Sequence, residues 1–274
     1  MAEEINRMNN ETEEDYQVLS LMTGMNRYQT IKFGTDKIAN RSVVEITGEA
    51  GTGKSKLCYY FALYTILPEK YGGLESSCLF ISTFIRLTDE KLREFFFQPA
   101  KNLGLEEKEI ELMIRKLIYK HLKFEELQQY INDNFEKKLV ENRVKTIIID
   151  NISSICDQKF QEDKKYDYPA RHKFFSDFFF QLNRYILKYD LFCFCVNEVR
   201  ASFNQETGNI ETLKPTMGTA WENNIGTRLF LKKFKNNMNG NKPKRWIETV
   251  FSNFLLKQYF EFEINQNGIE FLYN

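Results

Sequence analysis

The octet GEAGTGKS at residues 48–55 constrains this chain more than any other stretch. It follows a β-branched run, VVEIT (43–47). It opens an apolar segment, KLCYYFALYTIL (56–67), that reads as a helix stopped before Pro68. G-x-x-x-x-G-K-[ST] between a strand and a helix is a loop that cradles phosphates. Gly48, Gly51 and Gly53 let the backbone curl, so N–H groups across Gly48, Glu49, Ala50, Gly51, Thr52 and Gly53 converge on phosphate oxygens. The following helix adds its positive dipole end. Lys54 reaches the β- and γ-phosphates as a point charge, and Ser55 offers a hydroxyl to Mg²⁺. ATP and Mg²⁺ are therefore the expected cofactors.

A second apolar strand, TIIID (146–150), ends in Asp150, where a phosphate-loop protein places a carboxylate for Mg²⁺. A third, LFCFCVN (191–197), ends in Asn197, which either senses the γ-phosphate or caps the strand. CLFIST (78–83) and LIYKHL (117–122) read as further strands. Helices are expected over DEKLREFF (89–96), with Thr88 as N-cap, over 106–116, over FEELQQYINDNFEKKLVE (124–141) and over 170–189. Apolar strands separated by helices form a parallel sheet covered on both faces. The strand-rich end (TRLFLKKF, RWIETVF, QYFEFEIN, IEFLYN) adds an antiparallel extension, with turns at Asn239-Gly240 and Asn267-Gly268. The expected class is α/β: a phosphate-loop core over 23–274 preceded by an acidic, flexible arm over 1–22.

Charge narrows the partners. The 274 residues carry 38 Lys+Arg against 38 Asp+Glu, which excludes a globally basic nucleic-acid binder and leaves only local patches. One patch stands out. Segment 226–245 holds Arg228, Lys232, Lys233, Lys235, Lys242, Lys244 and Arg245 and no acid. It reads as a hairpin that tracks DNA phosphates, or as a solvated hairpin whose lysines protect a sheet edge. No apolar run approaches a membrane span, and the acidic N-terminus is unlike a signal or transit peptide. Five cysteines without a C-x-x-C pair argue for buried thiols in a reducing compartment and against structural zinc.

In order along the chain, TGMNRY (23–28), GEAGTGKSKL, ILPEKYGGLESSCLFIST, TIIIDNISSI, CFCVNEV and PTMGTAWENNIGTRLFLKK resemble segments of the RecA/RadA-type recombinases. The layout is most similar to the eukaryotic recombinase paralogues that lack an N-terminal helical DNA-binding domain, such as an X-ray-repair cross-complementing paralogue. The resemblance implies a RecA-like ATP-binding core. It implies a hetero-oligomer with other paralogues and the main recombinase, and an accessory role in filament assembly on single-stranded or branched DNA. Homologous recombination of double-strand breaks in the nucleus follows, with no membrane. It also implies that 199–217 corresponds to the second DNA-binding loop, and that Tyr16, Val18, Leu19 and Leu21 are candidates for docking on a neighbour. Two departures carry chemistry. The family's general-base Glu aligns with Phe84, so hydrolysis is expected to be weak or absent. The strand-end Gln that couples nucleotide to DNA is Glu198, whose charge would repel phosphate or serve another interface. The rival classes are an autonomous phosphate-loop ATPase or kinase, and a structural adaptor that no longer uses nucleotide.

Overall fold

The computed structural model describes residues 29–154, 161–162, 165–166, 168–203, 210–234 and 243–272. The expected arm over 1–22, the segment 23–28, the turn Asn239-Gly240 and residues Lys235 and Lys242 lie outside them. The chain begins with a hairpin, β1 (Thr30–Phe33) and β2 (Asp36–Ala39), followed by β3 (Val43–Gly48) and helix α1 (Lys54–Ile66). Next come β4 (Ser77–Ser82), α2 (Asp89–Asn102), α3 (Glu107–Ile114), β5 (Leu117–His121), α4 (Phe124–Asn132), α5 (Phe135–Glu141) and β6 (Val144–Asp150). Then follow the short pair β7 (Gln161–Glu162) and β8 (Lys165–Tyr166), α6 (Tyr168–Tyr189), β9 (Phe192–Asn197), the hairpin β10 (Val199–Phe203) and β11 (Ile210–Pro215), and α7 (Thr219–Glu222). The end is all strand: β12 (Thr227–Phe234), β13 (Lys244–Ser252), β14 (Tyr259–Asn265) and β15 (Gly268–Leu272).

Nine of the described strands form one sheet in the order β15-β14-β13-β12-β3-β9-β6-β4-β5. From β12 to β5 every pairing is parallel, and from β12 to β15 every pairing is antiparallel. The mixed sheet expected from the strand pattern is the sheet found. Alternation along each strand sends one residue to each face. Val44, Ile46, Phe80, Ile148, Phe192 and Phe194 pack with α1 and α2, while Leu79, Ile81, Ile147, Ile149, Cys193 and Cys195 pack with α4, α5 and α6. Cys193 and Cys195 are buried free thiols. α1 is apolar on most sides because it packs against β1 as well as on the sheet, β15 included, and Phe61 stacks on Phe194 with centroids 4.1 Å apart. A Thr65–Thr146 hydroxyl hydrogen bond of 2.7 Å pins α1 to β6.

Three local expectations change. The helix over 124–141 is two helices, broken at Asn134, whose φ of 56° is left-handed. Asn tolerates that conformation better than most residues, and the period of the apolar residues survives the break. The polar stretch 199–217 contains the β10–β11 hairpin, paired from Val199↔Pro215 to Phe203↔Ile210. The β1–β2 hairpin was not anticipated. Its Gly34 has φ 62°, with Phe260 so close that an added Cβ would lie 2.7 Å from the ring. Thr88 caps α2 as expected, accepting from the Lys91 N–H at 3.4 Å. No described helix is long and apolar enough to cross a membrane.

Candidate nucleotide site

The loop 49–53 leaves the carboxyl end of β3 and turns into α1 at the centre of the parallel sheet. Its glycines are required by geometry. Gly48 has φ 147°, and a Cβ there would fall 2.3 Å from the Leu231 carbonyl oxygen. Gly53 has φ 112°, and a Cβ would meet Ile264 Cδ1 at 2.7 Å. Both conformations are costly for any L side chain. Thr52 is buried, and its hydroxyl donates to the Glu49 carbonyl at 2.8 Å, which closes the loop on itself. The Lys54 ammonium folds back on the same loop, donating to the Gly48 and Glu49 carbonyls at 2.8 and 3.0 Å. Ser55, on the first turn of α1, hydrogen-bonds the Asp150 carboxylate from the end of β6.

The charges here are under-compensated. Burial pushes the Asp150 carboxyl above its ordinary range; the Ser55 hydrogen bond and the Lys54 charge oppose that. Burial pushes the Lys54 ammonium below its ordinary range, opposed first by the Glu198 carboxylate and then by Asp150. A hydroxyl and a carboxylate side by side are hard oxygen donors of the kind Mg²⁺ takes alongside phosphate oxygens. Exposed Gly51, with no atom within 4 Å of an added Cβ, leaves the mouth of the loop open. The residues present thus fit a Mg²⁺–nucleotide. A cleft of 520 Å³ lies between α1, α2 and the β14–β15 turn, lined by Lys56, Tyr59, Tyr60, Phe95 and Asn265 and by no residue of the loop itself.

The segment that follows β4 supplies no carboxylate of its own. Ser82 Oγ donates to the Ile85 carbonyl at 2.6 Å, Thr83 Oγ1 donates to the Asn151 carbonyl at 2.5 Å, and Phe84 is 71% exposed. None of Ser82, Thr83, Phe84 and Ile85 carries a carboxylate.

Two expected site residues are committed elsewhere. Asn197 is fully buried: its amide donates to Glu45 Oε1 at 2.6 Å, and its carbonyl accepts from Thr216 Oγ1 at 2.8 Å. It ties neighbouring elements together, with one amide N–H and one carbonyl lone pair already engaged. Arg228 is withdrawn from the surface. Its guanidinium is buried between Glu45, which accepts from Nε, and Glu222, which accepts from NH1 at 2.5 Å. Trp221 Nε1 donates to Glu45 Oε1 at 2.5 Å and its ring packs on Phe179. Glu45 was thus a missed centre of the structure. The signal was available: a carboxylate inside VVEIT has to find donors if that strand is buried.

The remaining basic residues divide. Lys232 pairs with Glu248 at 2.7 Å and Lys244 with Glu261 at 3.1 Å, both acids from neighbouring strands. Lys233 is exposed, and Arg245 donates from NH1 to the Pro243 carbonyl at 3.2 Å. An acid-free stretch of sequence is therefore not an acid-free surface.

A phosphate loop at the end of a central parallel strand, with a carboxylate-tipped strand nearby and an antiparallel extension, defines the class: a RecA-like α/β core. The family model for Rad51 matches residues 14–271, and the chain belongs to that family. It is 22% identical over 215 residues to human "DNA repair protein RAD51 homolog 2", covering 71% of this chain and 56% of the relative. It is 23% identical over 256 residues to "DNA repair protein rhp51" of Schizosaccharomyces pombe, covering 92% and 65%. It is 28% identical over 169 residues to "DNA repair and recombination protein RadA" of Metallosphaera sedula, covering 60% and 48%. The chain spans about half to two thirds of the length of these relatives.

Proposed function

We propose that this chain is a recombinase paralogue that binds ATP and Mg²⁺ and serves as an accessory factor for recombinase assembly in homologous recombination. The observation that carries the reading is the joined set at the β3 and β6 ends: the glycine-strained loop 48–53, Lys54, and the Ser55 hydroxyl on Asp150. The loop cradles the phosphates, Lys54 swings from its carbonyl partners to the terminal phosphates, and Ser55 with Asp150 hold the cation. Residues 23–274 act as the ATP-binding core behind the acidic arm 1–22.

Turnover is weak, because a positioned general base contributes about 10²–10⁴-fold and Phe84 supplies none. DNA contact, single-stranded or branched, rests on Lys233 and Arg245, on Lys232 and Lys244 when their acid partners release them, and on Lys235 and Lys242. Other recombinase paralogues and the main recombinase are the protein partners, in the nucleus.

Two measurements test the reading. Fluorescent ATP should bind in the presence of Mg²⁺ and release little phosphate in a single turnover; brisk hydrolysis abolished by Lys54→Ala would overturn the non-catalytic assignment. Affinity purification from cells with mass spectrometry should recover the recombinase and its paralogues; recovery of metabolic enzymes alone would overturn the accessory role.

A further inference from the structure

Glu198 follows Asn197 at the carboxyl end of β9, beside the end of β6 that carries Asp150. The two strands are parallel neighbours with Ile149 opposite Cys195, so Asn151 and Glu198 emerge on the same edge as the phosphate loop. Glu198 is held at three points. Asn151 Nδ2 donates to Oε1 at 2.8 Å, the Glu198 N–H donates to Ser153 Oγ at 3.0 Å, and the Thr216 N–H donates to the Glu198 carbonyl at 2.9 Å. Asn151 is itself buried and fixed, its carbonyl accepting from Thr83. The side chain is therefore positioned. Among the described residues it has no ion pair, and the charges it acts on are those of Lys54 and Asp150.

We propose that Glu198 makes this site discriminate against the third phosphate, its fixed carboxylate lowering affinity for a nucleoside triphosphate relative to the diphosphate. The inference rests on the nucleotide-binding reading above and names the specificity of that site. The α- and β-phosphates would be met by loop N–H groups, and Lys54 would reach the β- and γ-phosphates. The third phosphate adds negative charge toward the edge where Asp150 and Glu198 already lie. A bound Mg²⁺ would offset Asp150, which with Ser55 would form its donor set; Glu198, tied to Asn151, draws on the same Lys54 charge that the third phosphate needs. Glu198 is exposed, and screening by water keeps the effect moderate, on the order of tenfold.

The test is equilibrium titration of the full chain with N-methylanthraniloyl-labelled ADP and ATP at fixed Mg²⁺ and ionic strength, for the wild type, Glu198→Gln and Glu198→Asp. Gln keeps the acceptor for Asn151 and removes the charge. The expected result is ATP binding tightened about tenfold in Glu198→Gln with ADP changed by less than about twofold, and a wild-type preference kept in Glu198→Asp. An unchanged ATP/ADP ratio in Glu198→Gln would overturn the proposal, as would weaker ATP binding, which would make Glu198 a cation ligand. A wild type that binds neither nucleotide removes the nucleotide-binding reading and this proposal together; binding with an insensitive ratio removes this proposal alone.

Discussion

Two carboxylates on either side of β9 have opposite fates. Glu45, in the middle of β3, is fully buried and accepts from Trp221, Asn197 and Arg228. Asp150, at the tip of β6, has the Ser55 hydroxyl and the more distant Lys54 charge. Burying a charge is tolerable only when donors surround it. Glu45 meets that condition and ties β3, β9, β12 and α7 together. Asp150 falls short of it, and burial accordingly favours its protonated form. The lesson is that the saturated carboxylate holds the fold, and the under-partnered one is reserved for a ligand that brings its own positive charge.

The comparison can be broken at its strong end first. Arg228→Ala leaves Glu45 buried without its counter-charge, and urea unfolding should show a loss of about 3–5 kcal/mol. A loss below about 1 kcal/mol would mean Glu45 is not a structural centre. Lys54→Ala should weaken Mg²⁺–ATP binding about 100-fold, close to 2.7 kcal/mol, while the unfolding midpoint barely moves. Equal damage to stability would erase the distinction between the two regions. Trp221→Phe keeps the ring against Phe179 but removes one of the three donors to Glu45, at a cost of about 1–2 kcal/mol. The smallest effect has the opposite sign. The folded-state pKa of Asp150 is raised, so the acid stabilises the fold most when protonated, below its unfolded pKa. That contribution is lost as pH rises through the folded value. At pH 7 the ionised group is a net cost, and Asp150→Asn should raise apo stability by about 1 kcal/mol while abolishing the Mg²⁺ dependence of nucleotide binding. A destabilised Asp150→Asn would show that Asp150 belongs with Glu45.

Much of the frame was legible in the chain. VVEIT, CLFIST, TIIID and LFCFCVN are apolar runs too short for helices and bounded by polar residues, and all four became buried parallel strands. The octet 48–55 was legible because loop and helix chemistry leave few alternatives at that spacing. Arg228 and Asn197 misled for one shared reason. Each looks like a polar residue at a strand end or in a basic stretch, and nothing local reveals that Glu45, 183 positions before Arg228, accepts from both. The basic segment misled differently: Lys232 and Lys244 meet Glu248 and Glu261 only because β12, β13 and β14 lie side by side.

Periodicity, glycine placement and one phosphate-loop spacing are properties of neighbours along the chain, and they set the strand-helix alternation, the curled loop and the position of Lys54 and Ser55. Which charges cancel is a property of neighbours in space. Electrostatic energy falls with distance through the fold and ignores separation in sequence. Strand order therefore decided that Glu45 is neutralised, that Arg228 is withdrawn from the surface, and that Glu198 stands with Asp150 at the mouth of the site.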